Sequence, residues 1–407
     1  MARFIARKDA GKHNSAKPRD ESRYYEQLPM RYLECKGTAY EIGHQQGEAL
    51  RELIHERWKQ DVQPILARLQ GQQPGVDARI AKAHAQTLDF LSLVTPAIVE
   101  EIRGVADGAK IPFEQVLFMN TYNSLVFHEQ ISELGGCSAL AFCRSPVGPF
   151  VFKTYDPFGS KEIDSPEQRR KKAEKENRWL YVLRAEYRGG LMILGVRIAG
   201  SVWTECGVND RGLAFASASM HPRLYPQRAS AFPQHFVGTL AVNRCGSVAA
   251  VKTVLAKAPV YGKGYASSYT DVTGDAVGTE KTAGFTGFNA PASDTVAFQT
   301  NHIRSPELVR LGREQDPKFW EGNYHRNSSN RVRHIESRLP KWREESRFDS
   351  LVEDLFHAGS EGDLIQNCTE MNQHWITTWG ALVFPQTKEL WLAEGLPEER
   401  RFQKWKL

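Results

Sequence analysis

The stretch Leu134-Gly135-Gly136-Cys137-Ser138-Ala139-Leu140-Ala141-Phe142 divides the chain into two halves of different character. Before it, apolar residues recur with helical spacing. From Cys137 onward they alternate with period two and are broken by hairpin turns. Two glycines at the seam allow the backbone an open conformation that residues with a Cβ resist. An apolar strand begins at the cysteine itself. Packing alone is a poor reason to put a thiol behind two glycines at such a boundary.

Upstream of the seam, residues 1–29 are polar and aperiodic, with seven Lys/Arg against four Asp/Glu, and are expected to form a flexible basic arm. A strand is expected at Arg31-Tyr32-Leu33-Glu34-Cys35-Lys36-Gly37. Thr38 then stands as an N-cap, with Glu41 as its capping-box partner. Ile42, Leu50, Leu53 and Ile54 give a helical stripe running toward Leu66. A second helical block, Asp77 to Gly108, should divide at Pro96, because a proline inside a helix removes a hydrogen bond and clashes with the preceding turn. Residues 30–136 therefore form a mainly helical segment.

Downstream, residues 137–407 form a second unit. Ser138–Cys143 and Phe150–Thr154 make a hairpin around Pro146-Val147-Gly148-Pro149. Trp179–Tyr187 and Leu191–Ile198 make another, and Val202–Cys206 and Leu213–Ser219 flank the turn Asn209-Asp210-Arg211-Gly212. Connections this short demand antiparallel neighbours. Helical spacing returns at Ser247–Ala258 and Ser328–Leu339, and two strands, Gly380–Phe384 and Leu390–Ala393, follow near the end. Strands with helices segregated between them indicate an α+β fold. The charged stretch Gly159–Arg178 reads as a solvated loop or surface helix, or as a lid beside a site.

Composition narrows the class. The chain has 407 residues, 41% hydrophobic and 25% charged, enough for a sizeable core. A net charge of +5, partly spent in the arm, is no nucleic-acid-binding field. No run of 18 apolar residues is long enough to span a membrane. No apolar h-region follows Met1, so no secretory signal is expected. The six cysteines form no CxxC pair, so neither a metal site nor a redox motif is expected. A cytoplasmic protein without membrane or nucleic-acid partners is the expectation.

The seam itself suggests chemistry. If the Gly136–Cys137 bond breaks, Cys137 gains a free α-amine with an ordinary pKa of about 7.7–8.0. That amine can relay the proton of its own thiol, so nucleophile and base become one residue and no histidine is needed.

In this respect the chain resembles the N-terminal nucleophile (Ntn) hydrolases, in the branch typified by acyl-coenzyme A:6-aminopenicillanic acid acyltransferase (peptidase C45), and more distantly the choloylglycine hydrolases and penicillin V acylases. The matching landmarks run in order from Gly37-Thr38-Ala39-Tyr40-Glu41-Ile42-Gly43-His44-Gln45-Gln46-Gly47 through Glu101-Ile102-Arg103-Gly104-Val105-Ala106-Asp107-Gly108-Ala109 to Gly136-Cys137-Ser138. They continue at Gly207-Val208-Asn209-Asp210-Arg211-Gly212-Leu213, Thr300-Asn301-His302 and Ser328-Ser329-Asn330-Arg331. The resemblance implies a four-layer αββα sandwich of two antiparallel sheets, with the helical segment wrapped on it. It implies a zymogen cut autocatalytically at Gly136–Cys137 into chains that stay associated as a heterodimer.

The same resemblance implies a thiol nucleophile at Cys137 and a carboxylate at Asp156 holding the α-amino group. It implies an oxyanion donor in the Asn301 amide and an arginine at Arg331 near the nucleophile. Lys153 stands where the choloylglycine branch has arginine, a point charge in place of a fork. Ser219 stands near that branch's second oxyanion asparagine. His302 is a candidate substrate contact, though a satisfied structural histidine is the plainer reading. Cys143 is expected out of phase with Cys137, as packing. The activity implied is hydrolysis or transfer of an acyl group from a small amide or thioester, without a cofactor, an acyl-CoA being admissible as co-substrate. A homo-oligomer is admissible too. The competing reading is a catalytically inactive relative that keeps the fold as a binding or scaffold protein.

Overall fold

A computed structural model describes residues 3–4, 30–72, 74–125, 136–157, 165–358, 362–370 and 373–407. The expected arm (apart from residues 3–4), Leu134 and Gly135 of the seam, and the start of the charged stretch lie outside the described residues.

The chain opens with β1 (Arg3–Phe4) and β2 (Arg31–Gly37). A helical run follows: α1 (Ala39–Ala49), α2 (Arg51–Arg57), a π-helical turn at Trp58–Val62, α3 (Gln63–Gln72), α4 (Val76–Val94), α5 (Pro96–Ala109) and α6 (Phe113–Leu125). Thr38 caps α1, accepting from Glu41 N at 3.2 Å while the Glu41 carboxylate accepts from Thr38 N at 2.7 Å. This reciprocal box satisfies donors that a bare helix start would leave orphaned. Pro96 divides the second helical block by opening α5 at its first turn, where its missing N–H costs nothing.

After the seam come β3 (Ala139–Phe142), β4 (Phe150–Tyr155), α7 (Pro166–Asn177), β5 (Leu180–Tyr187), β6 (Met192–Ile198), β7 (Thr204–Asn209) and β8 (Leu213–Ser219). Then follow β9 (Phe232–Pro233), α8 (Phe236–Arg244), α9 (Val248–Lys257), β10 (Val260–Tyr261), β11 (Tyr265–Asp271), β12 (Ala276–Thr282), β13 (Phe285–Asn289) and β14 (Val296–Gln299). The chain ends with α10 (Pro306–Gln315), α11 (Asn323–Glu344), α12 (Phe348–Leu355), β15 (Asn367–Glu370), β16 (Gln373–Ile376), β17 (Trp379–Phe384), β18 (Glu389–Glu394) and β19 (Phe402–Lys406).

Two large sheets result, β1-β2-β5-β6-β7-β8-β11-β12-β13 and β14-β3-β4-β17-β18-β19. Three apolar cores separate four layers. One buries Ile42, Ile102 and Val105 of the amino-terminal helices, with α8 and α9, against the outer face of the larger sheet. A second lies between the sheets and is rich in alanine, from Ala139 and Ala141 to Ala214, Ala216 and Ala218. The third packs α11 and α12 through Ile335, Leu351 and Leu355 onto Phe142, Phe150 and Phe152 of the smaller sheet. This is the αββα sandwich.

The sheets are not wholly antiparallel. β2 pairs with β5 in parallel, register Arg31↔Tyr181 to Gly37↔Tyr187, because the strand delivered by the helical segment joins an edge with no hairpin to set its direction. Strands β11 and β12 went unread in the sequence because polar residues fill them: Ser267, Ser268, Thr270, Thr279 and Glu280 are all buried. The charged stretch does hold a helix, α7, capped by Ser165 with Gln168. Cys143 lies in phase with Cys137, six residues on, and packs against the same inter-sheet core. No described helix is long and apolar enough to cross a membrane.

Candidate active site

The β3–β4 hairpin places the first two groups. Its register pairs Ala139 with Lys153 and Phe142 with Phe150. Continued toward the seam, the same register sets Gly136 opposite Asp156, where the two residues exchange backbone hydrogen bonds of 2.6 Å from Gly136 N and 2.9 Å from Asp156 N. The separation of nineteen residues between Cys137 and Asp156 is thus a consequence of hairpin pairing. Alternation assigns the faces. Cys137 shares the inter-sheet face with Ala139 and Ala141, whereas Leu140 and Phe142 face the layer of α11.

Strand β14 delivers the next group. It pairs with β3 from Val296↔Phe142 to Gln299↔Ala139, and two residues beyond that strand Asn301 comes level with Cys137. The Asn301 Oδ1 accepts from Cys137 N at 2.8 Å and from Arg331 Nη2 at 2.7 Å. Both partners are obligate donors, so the oxygen must face them. The amide nitrogen donates to the Ser219 carbonyl at 2.9 Å. In this state the Asn301 amide is therefore spent on Ser219, and the residue meets the Cys137 nitrogen as an acceptor. The sequence had assigned that amide to an oxyanion.

Arg331 reaches in from α11 and is almost wholly buried. Besides Asn301 it donates to the Cys137 carbonyl and, at 3.1 Å, to Ser138 Oγ, while its Nε donates to Asn327 Oδ1 at 3.2 Å. Its Nη1 stands 3.9 Å from Asp156 Oδ2. The Asp156 carboxylate also accepts from Thr377 at 2.7 Å and Thr154 at 3.2 Å. Burial pushes its pKa above the ordinary aspartate value, opposed by the Arg331 charge and the two hydroxyls.

On the other side of Cys137 lies Lys153, fully buried, donating to the Ser217 carbonyl and standing 3.5 Å from Glu205 Oε2. Burial works against its charge, yet the Cys137 thiol and Glu205 carboxylate outweigh that and raise its pKa. Burial raises the thiol pKa of Cys137, with Lys153 pulling it back. Glu205 in turn accepts from Ser217 Oγ at 2.9 Å.

A cavity of about 730 Å³ opens onto Cys137. Ser219 is among its lining residues, as are Glu205, Ser217, His235 and Lys263, none of the last four foreseen from the sequence. His302 is not among them. It lies 2.8 Å from Ser328 Oγ, which also accepts from Asn301 N at 2.8 Å, and burial lowers its pKa to about 3. It packs behind Asn301 as a neutral ring. α7 contributes Lys172, Lys175 and Glu176 to the cavity wall, so the charged stretch does border the site. Glu205 left one legible sign, a carboxylate inside a run of apolar and small residues at Trp203–Val208. Lys263 left another, a lysine between two glycines.

Over 214 residues the chain is 21% identical to the 40 kDa form of acyl-coenzyme A:6-aminopenicillanic-acid-acyltransferase of Emericella nidulans, covering 53% of each protein. The chain thus spans about half the length of that curated relative. Among solved structures, it is similar to the C2A mutant of conjugated bile acid hydrolase from Clostridium perfringens, with 9% identity, a TM-score of 0.43, and coverage of 67% of this chain and 92% of that one. Penicillin V acylase from Agrobacterium tumefaciens gives 13% identity, a TM-score of 0.42, and coverage of 63% and 83%. The family model for acyl-coenzyme A:6-aminopenicillanic acid acyl-transferase matches residues 170–398, a span that includes Asn301 and Arg331 and begins after Asp156. That match takes in more than half of the sequence, and the chain belongs to the acyl-coenzyme A:6-aminopenicillanic acid acyl-transferase family.

Proposed function

We propose that the protein is a self-processing cysteine Ntn enzyme that hydrolyses or transfers an acyl group of a small amide or thioester. The observation that carries this reading is the convergence on Cys137. Its backbone nitrogen meets Asn301, its carbonyl meets Arg331, and Asp156 pairs with the residue before it. A structural cysteine needs none of these partners.

In the processing step the Cys137 thiol attacks the Gly136 carbonyl. The C–N bond breaks, a thioester forms between Gly136 and Sγ, and the amine of Cys137 is freed with a proton. Water then cleaves the thioester, leaving a Gly136 carboxylate and a restored thiol. The carbonyl oxygen that would bear negative charge already accepts from the Asp156 N–H at 2.9 Å, a donor aimed where charge develops. The freed amine takes the place of the N–H now bound to Asn301, within the field of the Asp156 carboxylate, which favours its ammonium form.

In turnover the amine accepts the thiol proton, the thiolate attacks the substrate carbonyl, and the amine half leaves with that proton. The acyl group on Sγ passes to water in hydrolysis or to an acceptor amine in transfer. Lys153 stabilises the thiolate by its charge. The oxyanion donor in turnover is the Asn301 amide once it is released from the Ser219 carbonyl.

Intact mass of the purified protein tests the scheme. Two fragments meeting at Gly136–Cys137, co-eluting as one species, are expected, and Cys137→Ala should stay whole. An uncut wild-type chain that forms no acyl adduct with a thiol-directed acyl donor would favour the non-catalytic scaffold.

A further inference from the structure

Several polar groups around the cavity already have partners. Arg57 donates to the Ala199 carbonyl and Ser201, Lys172 stands 2.7 Å from Glu176, and Ser217 donates to Glu205 at 2.9 Å. Two side chains of the lining differ, His235 and Tyr265, and neither has a part in the chemistry proposed above. Both are buried, at 9% and 3% exposure.

His235 occupies the N-cap position of α8, where a side chain ordinarily accepts from the first N–H groups of the helix. It makes no such bond. Its ring packs instead against Trp203, with centroids 4.6 Å apart, and meets Tyr265 edge-on at 5.9 Å. Among the described residues neither ring nitrogen has a hydrogen-bond partner. Burial and the charges of Lys263, Lys153 and Arg57 lower its pKa to about 3, so the ring is neutral and offers one N–H and one lone pair.

The Tyr265 hydroxyl belongs to the same wall. It lies against the first turn of α8, where a Cβ on Gly238 would stand 3.0 Å from it, and it has no partner among the described residues. Ser217, its diagonal neighbour on β8, turns its hydroxyl to Glu205. Burial raises the tyrosine pKa well above its ordinary value, so this group is neutral too.

Buried polar groups in folded proteins are nearly always bonded, because an unpaired one carries its full desolvation penalty. Two such groups stand here in ring contact, in the wall of a cavity that opens on the thiol. A hydroxyl suits them, since it donates and accepts at once, as each of them does. A carboxylate can only accept, and an ammonium can only donate.

We propose that His235 and Tyr265 form a neutral subsite for a hydroxyl group of the substrate, so that the site favours hydroxylated amides over their deoxy analogues. This rests on the catalytic reading above. The hydroxyl has two sources, the amine half or the far end of the acyl half, and the assay separates them. One pair compares N-butyryl-3-aminopropanol with N-butyrylpropylamine, and the other 6-hydroxyhexanoyl anilide with hexanoyl anilide.

The readout is the hydroxyl-to-deoxy ratio of kcat/KM within each pair. For the pair whose hydroxyl reaches the subsite, this ratio should fall about 10-fold in His235→Phe and in Tyr265→Phe, the effect of losing one neutral hydrogen bond. It should be largely kept in His235→Gln. A ratio unchanged in both pairs, or hydroxyl and deoxy substrates losing activity together, overturns the proposal. Thermal melts tell a ligand role from a structural one. A hydroxyl unpartnered in the free protein is not needed by the fold, so Tyr265→Phe should melt no lower than the wild type, and a clear drop would overturn its assignment to a ligand. Calorimetric binding of the same four compounds to Cys137→Ala protein reads the subsite without turnover. Hydroxyl-selective binding that His235→Phe abolishes in that background supports the subsite even where the wild type forms no acyl-enzyme, which would defeat only the catalytic reading. Binding blind to the hydroxyl defeats the subsite alone.

Discussion

At the scale of single residues, the surroundings of Gly136 explain why a glycine precedes the cysteine. A Cβ there would lie 3.0 Å from Arg331 Nη2 and 3.3 Å from Asp156 Oδ2, so even alanine must displace one of the two charges. Gly136→Ala is expected to slow the proposed self-cleavage by about 100-fold, the usual cost of a small misplacement of reacting groups. A time course of the full-length band after synthesis measures it. Lys153 acts on the thiol from the opposite side. Because its charge lowers the Cys137 pKa against the effect of burial, Lys153→Met should shift the midpoint of iodoacetamide alkylation upward in pH by about one unit. An unmoved midpoint would remove Lys153 from the site. Asn301 meets Cys137 through both ends of its amide in the proposed scheme: its oxygen accepts from the Cys137 nitrogen in this state, and its nitrogen, now held by the Ser219 carbonyl, is the oxyanion donor proposed for turnover.

At the scale of elements, α1 and α5 show what two glycine-rich motifs are for. Gly43 and Gly47 of α1 lie against the backbone of α5 at Glu101 and Val105, and Gly104 and Gly108 of α5 against Tyr40 and His44 of α1. A Cβ at any of the four would overlap a carbonyl oxygen of the other helix. Gly104→Ala should therefore destabilise the fold by about 3 kcal/mol, at the upper end for overpacking, since backbone cannot step aside as a side chain does. Urea unfolding would read this, and a loss below 0.5 kcal/mol, the range of an inert surface change, would contradict it. The close approach also lets Gln46 and Glu101 meet the buried Arg197 of β6 at 3.2 and 2.6 Å, joining the helical segment to the sheet through a polar network. α7 is held differently. Arg169 stands 2.5 Å from Glu398 and Arg170 2.5 Å from Glu399, so the helix that walls the cavity is tied to the turn before β19.

At the scale of the whole molecule, buried ionisable groups set the response to pH. Burial lowers His84 to about 4 and His235 and His302 to about 3. Between those values and the unfolded histidine value of about 6.5, the unfolded chain binds more protons, so stability falls as pH is lowered. Each such histidine contributes a slope of about 1.4 kcal/mol per pH unit in that window. Glu394 opposes them. Burial raises it to about 7, so the folded chain holds its proton more tightly, and its contribution is lost as pH rises from about 4.5 through 7. Asp156, raised by burial as well, acts in the same sense as Glu394; the three histidines outweigh the two carboxyls, and the melting temperature should drop as pH falls below about 6.5. His235→Gln should flatten that drop in thermal melts across the range, and an unchanged slope would show the ring is not held neutral.

Local order along the chain was sufficient for the helix caps, the hairpins and the division of α4 from α5, since each depends on residues a few positions apart. Asp156 came from the family resemblance, and hairpin pairing then accounts for its interval from Cys137. Family resemblance supplied Asn301 and Arg331, which no local pattern connects to Cys137. The tertiary structure alone decided which polar residues would meet. Ser268, whose hydroxyl donates to the Ala139 carbonyl of the other sheet, and Glu280 are buried by strands distant in sequence, and Glu205 and Lys263 come together only in the cavity wall. Periodicity records which face a side chain takes. What stands opposite that face is settled by chain segments more than a hundred residues away, as Asn301 and Arg331 are from the Cys137 backbone they hold.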